Sequence, residues 1–168
     1  MIDGTKYPEL REKPWRGARL RKLVKFIKKM RKRLDKSNET SLALLGNIPI
    51  KNMTYHGSQV ALIKVMTYIY DLFGLEEYRG RKSELKQKQF AGVRVAMLVE
   101  FLDYQLKCTA EEVQLVEHLE VDRNIKNQFT NSLKAQEIIF NAIRDAIING
   151  NFYEEDDEDE EVFQRWWK

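Results

Sequence analysis

A single-domain all-α fold, a bundle of five to six helices, is what this sequence predicts, and three observations predict it. Apolar residues recur at three- and four-residue spacing along most of the chain, while two-residue alternation is scarce. The segments with this spacing are joined by short polar connections. The chain has 168 residues, one domain by length, and its 43 % apolar share excludes a wholly disordered polymer.

Residues 1–17 are polar and contain Pro8, Pro14 and Gly17, so they read as an extended basic arm. Trp15 can anchor that arm to the body or stack on a base. Residues 18–36 form a strongly amphipathic helix. Leu20, Leu23, Val24, Phe26, Ile27, Met30 and Leu34 occupy an arc of about 160° at the helical period. Lys and Arg fill the opposite side.

Residues 37–57 are broken up, with a short helical piece near Thr40–Leu45 ending at Gly46 and an extended Ile48 before Pro49. Residues 58–73 are the most apolar helix, capped by Ser58, stopped by Gly74 and expected at the centre. After a polar connection, Ser83 is expected to cap a long helix running to about Lys107. Gly92 within it would permit a close crossing. Thr109-Ala110-Glu111-Glu112 matches the capping-box pattern and predicts a further helix start. Ser132 is expected to cap a last helix that Gly150 closes. The organisation is therefore an arm (1–17), a helical domain (18–150) and a flexible acidic-aromatic tail (151–168).

Charge is arranged along the chain rather than balanced within it. The net charge is +3. Residues 1–36 hold 14 Lys/Arg against 4 Asp/Glu, whereas residues 154–168 hold 2 against 8. An ordinary solvated helix face mixes signs to limit self-repulsion. Residues 19–34 contain no acid at all. Such a face can neutralise several phosphates together, since duplex nucleic acid carries about one charge per 1.7 Å of axis. The candidate nucleic-acid-binding residues are Arg16, Arg19, Arg21, Lys22, Lys25, Lys28, Lys29, Lys32 and Arg33. Their contacts are expected to be with the phosphate backbone of DNA or RNA, because the helix offers few Asn or Gln to read base edges.

Eight carboxylates run without interruption from Glu154 to Glu161, bracketed by Phe152 and Tyr153 before and Phe163, Trp166 and Trp167 after. Self-repulsion keeps such a run extended in isolation. It can act as a solubilising end, as a motif that docks a protein partner through Phe163, Trp166 and Trp167, or as a segment that folds back on the basic helix. A homo-oligomer is also compatible with the composition.

Several classes of function are disfavoured. Cys108 is the only cysteine, so no intramolecular disulfide forms and a reducing, cytoplasmic compartment is expected. No secretory signal and no apolar run of membrane-spanning length is visible. His56 and His118 stand apart, so no zinc site is expected; there is no phosphate-binding glycine loop and no cofactor is implied. The adjacent pairs Glu76-Glu77 and Glu111-Glu112 point about 100° apart on a helix and make no dyad. The expectation is a non-enzymatic nucleic-acid-binding accessory protein. The alternative is a helical assembly adaptor that binds other proteins through the same helix and tail. The layout of basic front, helical middle and acidic end resembles that of small viral DNA-handling proteins, such as phage packaging-initiation (small terminase) subunits and replication accessory factors. That resemblance implies a virion-associated or host-cell setting and carries no residue roles.

Overall fold

The computed structural model describes residues 2–45, 49–150 and 152, with side chains described outside 40–52. The fold is all-α, with six α-helices among these residues. They are α1 (Pro8–Arg11), α2 (Gly17–Leu45), α3 (Pro49–Phe73), α4 (Lys82–Gln87), α5 (Gly92–Glu117) and α6 (Arg123–Asn149). Two-residue strands β1 (Trp15–Arg16) and β2 (Gln89–Phe90) pair antiparallel, Trp15 opposite Phe90. A 3-10 turn spans Leu75–Tyr78.

Four long helices make the bundle, and contacts between them fix their directions. Asp35 on α2 accepts hydrogen bonds from Tyr55 (2.5 Å) and Gln59 (3.1 Å) on α3, while Leu20 and Tyr70 line one cavity lower down, so these helices are antiparallel. Tyr68 stacks on Phe101 at 3.9 Å, and Arg94 donates to the Leu72 carbonyl, so α3 and α5 are antiparallel. Arg144 meets Asp103, and Lys126 donates to the Glu117 carbonyl, so α5 and α6 are antiparallel too. As expected of the most apolar segment, α3 is central: it packs on α2, α5 and α6. Its backbone comes so close to α6 that a Cβ on Gly57 would lie 2.1 Å from the Ser132 carbonyl oxygen. The core includes Leu20, Leu23, Ile27, Leu62, Ile69, Phe73, Leu98, Leu102, Phe140 and Ile143.

The helix ends differ from the sequence expectation in instructive ways. Thr109 lies inside α5, where its hydroxyl donates to the Gln105 carbonyl at 2.6 Å. This bond to the preceding turn satisfies the hydroxyl without any helix start, so the capping-box pattern is not a terminus here. Ser58 does the same inside α3, donating to the Thr54 carbonyl at 3.1 Å. Ser132 is buried within α6, which is instead capped by Asp122, whose carboxylate accepts from the Asn124 N–H at 3.4 Å. The helix entered near Ser83 ends at Gln87, because Lys88 turns extended and leads into β2. Gly74 and Gly150 do stop α3 and α6, each in the left-handed conformation that glycine adopts without a Cβ clash. Gly46 and Ile48 lie outside the described residues.

The N-terminal segment, expected as an extended arm, includes the short helix α1 and lies against the body. Glu100 on α5 is only 3 % exposed and accepts backbone N–H groups from Asp3 (3.1 Å), Gly4 (2.5 Å) and Lys6 (2.8 Å). Tyr7 donates to Asp103, which Arg144 also grips at 2.6 Å, tying the segment to α5 and α6. Desolvation and Asp103 push the Tyr7 phenol above its ordinary pKa, and its hydrogen bond to Tyr7 raises that of Arg144 further. Trp15 is buried and so anchors the segment to the body.

Candidate nucleic-acid interface

The basic helix α2 is mounted firmly at its first turn. The Gly17 N–H donates to the Lys88 carbonyl at 2.7 Å, continuing the β1–β2 pairing. Trp15, just before it, packs against Phe152 with ring centroids 5.6 Å apart. Phe152 is 1 % exposed. It was grouped with the tail by composition, yet it belongs to the body: after Gly150 turns the chain, its ring completes the core at the base. The Arg19 guanidinium lies over the Trp15 ring, 4.6 Å from its centroid. Contacts of this kind hold a cation in a preferred place.

The nine expected cations divide into three groups. Arg16, Lys32 and Arg33 are exposed. Arg19, Lys22, Lys28 and Lys29 are half-buried. Arg21 and Lys25 retain only 4 % and 5 % of their surface. Arg21 lines a cavity of about 410 Å³ with Leu20, Val24, Tyr70, Tyr78 and Glu76. None of Arg19, Arg21, Lys22, Lys25, Lys28, Lys29 and Lys32 stands free; each takes part in a hydrogen-bond, ion-pair, ring or electrostatic contact. Lys28 borders a groove of about 280 Å³ between α2 and α3, with Ile27, Arg31, Leu62, Ile63 and Met66. Desolvation there holds the Lys28 amine below its ordinary pKa.

Arg31 and Lys36 are exposed as well and were not among the nine. A helical wheel places Arg31 inside the apolar arc, between Leu20 and Val24, which hid it. It lines the groove between α2 and α3 and is exposed there. The exposed cations therefore concentrate from Arg31 onward, and the covered ones lie nearer the base. The positive end of the α2 dipole lies at that base, so the unfavourable charge is greatest where Arg19, Arg21 and Lys22 gather. Phe163, Trp166 and Trp167 lie outside the described residues.

Among the described residues, no cluster of three or more His, Cys, Asp or Glu is placed to hold a metal ion. No described helix is long and apolar enough to cross a membrane. No protein-family model, curated protein or solved structure matches the chain.

Proposed function

We propose that the protein is a non-enzymatic nucleic-acid-binding accessory factor that grips phosphates through α2. One observation carries this reading: between Arg19 and Leu34 the helix has cations on its outer side and no acid, and Arg31, Lys32, Arg33 and Lys36 present that charge to solvent. Arg16 extends the row to β1. The half-buried Arg19, Lys22, Lys28 and Lys29 add a second rank of positive charge behind the exposed one. Backbone contacts of this sort give affinity without sequence preference. A reducing interior suits the lone Cys108.

A salt-dependent titration with duplex and single-stranded nucleic acid tests the reading. Affinity should fall linearly on a logarithmic scale, by a slope that counts the phosphates engaged. Replacing Lys32 and Arg33 together by Ala should lower that slope by about 2 and weaken binding about tenfold at low salt. Affinity that hardly changes between low and moderate salt overturns it.

A second reading, the assembly adaptor, is favoured by the opposite end of the bundle. Leu115, Leu119, Val121, Ile125 and Phe129 are all exposed at the tip of the α5–α6 hairpin, Leu115 at 66 %. Apolar residues gathered at one end suit a protein partner or a second copy of the chain.

A further inference from the structure

We propose that the cavity walled by α2, α3 and the 3-10 turn receives one unpaired nucleobase, stacked on the rings of Tyr70 and Tyr78, while the phosphates of the same strand run onto α2. The inference rests on the nucleic-acid reading and deepens it, because it names single-stranded nucleic acid as the preferred form.

The cavity has the size and the lining for a planar ligand. Its volume of about 410 Å³ falls within the range of about 300–1,000 Å³ usual for small-molecule sites. Leu20, Val24, Leu75 and Leu85 are buried and supply its apolar part. Tyr70 and Tyr78 line it as well and are half-buried, so part of each ring is open. The Tyr78 ring is braced edge-on by Phe90, with centroids 6.4 Å apart, and Phe90 is braced in turn by the core residue Phe73. Aromatic walls beside an apolar surface are what an unstacked base requires, since every base has a π face.

The mouth is polar. Glu76, Arg79 and Gly80 line the cavity and are exposed. Burial pushes the Tyr70 phenol above its ordinary pKa; the charge of Glu76 adds to the rise and that of Arg79 opposes it, so both charges act close to this hydroxyl. The phenol therefore stays protonated at neutral pH and offers a donor to a base edge or a sugar. Arg79 pairs with Glu76 at 3.4 Å, but both side chains are largely exposed. An ion pair so open to water is weak, and the guanidinium can exchange the carboxylate for a phosphate.

Position selects a nucleotide among planar ligands. Arg21, one wall of the cavity, shares an arc of about 80° on α2 with Lys25, Lys29, Lys32 and Lys36, at 100° per residue. The cavity therefore lies at the foot of the cation row. Arg21 and Lys25 are covered and already engaged, so they act as wall and spacer. The accessible part of the row begins with Lys29, about 12 Å up the helix from Arg21 at 1.5 Å per residue, and continues with exposed Lys32 and Lys36. A strand that lays its phosphates along this row brings its end to the cavity. A duplex keeps its bases stacked inside, whereas a single strand can turn one base out into an aromatic-lined site.

Two titrations of the full chain decide the matter. The first adds adenosine monophosphate, adenosine or inorganic phosphate and follows the protein by NMR. Mononucleotide and nucleoside should both shift the ring signals of Tyr70 and Tyr78 and the Gly80 amide, saturably, while phosphate alone leaves the rings unmoved. Rings unmoved by the mononucleotide overturn the inference. Rings that answer to phosphate alone make the cavity an anion site and overturn it too. The second titration compares a single strand carrying one 2-aminopurine with the matching duplex. Stacking on tyrosine should quench the probe in the single strand. Tyr70→Leu with Tyr78→Leu should weaken single-strand binding about tenfold, the worth of one stacked base. Duplex binding and the salt slope should stay as in the native chain, because the α2 cations are untouched. Equal losses on both forms assign the tyrosines to packing and overturn the inference. Tyr70→Phe with Tyr78→Phe keeps both rings and should bind as the native chain does; a Phe pair as weak as the Leu pair overturns the stacking. Mononucleotide shifts in a chain without salt-dependent affinity for either form uphold the base pocket and overturn the nucleic-acid reading. Salt-dependent binding with unmoved rings does the reverse.

Discussion

The two ends of the bundle are built on opposite plans. At the base, almost every group is engaged: Glu100 gathers three backbone N–H groups, β1 pairs with β2, and Trp15 and Phe152 close the core. At the far end, the tip of the α5–α6 hairpin leaves Leu115, Leu119, Val121, Ile125 and Phe129 exposed. The basic helix runs from one end to the other and reflects the difference. Its cations are covered near the base and open to solvent from Arg31 onward. Order at the base fixes where α2 begins, whereas the tip leaves apolar side chains uncovered.

The largest expected effect comes from breaking the base. Glu100→Ala leaves the N–H groups of Asp3, Gly4 and Lys6 without their acceptor in a largely dry place. A loss of about 3 kcal/mol of stability is expected. Denaturant melts measure it, and hydrogen exchange at those three amides should accelerate together. A loss under about 0.5 kcal/mol, the range of ordinary surface changes, would mean that the N-terminal segment is not held by this carboxylate. Because the segment leads directly into Trp15 and α2, the same variant should also loosen Gly17 from Lys88.

The far end should respond in the reverse manner. Leu115→Ser with Phe129→Ser removes exposed side chains, so stability should change by no more than about 0.5 kcal/mol. Self-association or capture of a protein partner should suffer instead, as read by light scattering at several concentrations. A substantial loss of stability with no change in association would assign these residues to packing and remove the support for the adaptor reading.

How much of this was legible beforehand depended on the kind of signal. The helical class, the centrality of residues 58–73 and the stops at Gly74 and Gly150 follow from periodicity and from glycine's access to positive φ, both local properties. Helix starts were less legible. Ser58, Thr109 and Ser132 each carry a hydroxyl suited to capping, but the same hydroxyl can bond the preceding turn, as Ser58 and Thr109 do, and nothing local decides between the two. The hold of Glu100 on the N-terminal segment was not legible, because that carboxylate lies more than ninety residues away. The cation row was fully visible, but which cations stay open was not. The wheel assumes one buried face, whereas Arg21 and Lys25 are covered on the polar side and Arg31, within the apolar arc, is exposed at the α2–α3 groove.

The smallest expected effect tests that last distinction on a single side chain. Lys28 is half-buried at the α2–α3 groove, and desolvation lowers its pKa in the folded state relative to 10.5. At neutral pH the amine is protonated in both states, so folding bears the full cost of desolvating the charge. Between the folded pKa and 10.5 the unfolded chain binds more protons, so stability rises with pH there. Lys28→Met removes the charge and keeps the stem that packs on the groove. It should raise the melting temperature slightly at pH 7, and the gain should fade as pH climbs towards and past 10.5. Nucleic-acid affinity should fall only a little, since the open cations from Arg31 onward remain. A variant less stable than the native chain at pH 7 would mean that the Lys28 ammonium contributes more through an anionic neighbour than it loses by desolvation, and the base-proximal part of the face would then be an ion-paired surface as far up as Lys28.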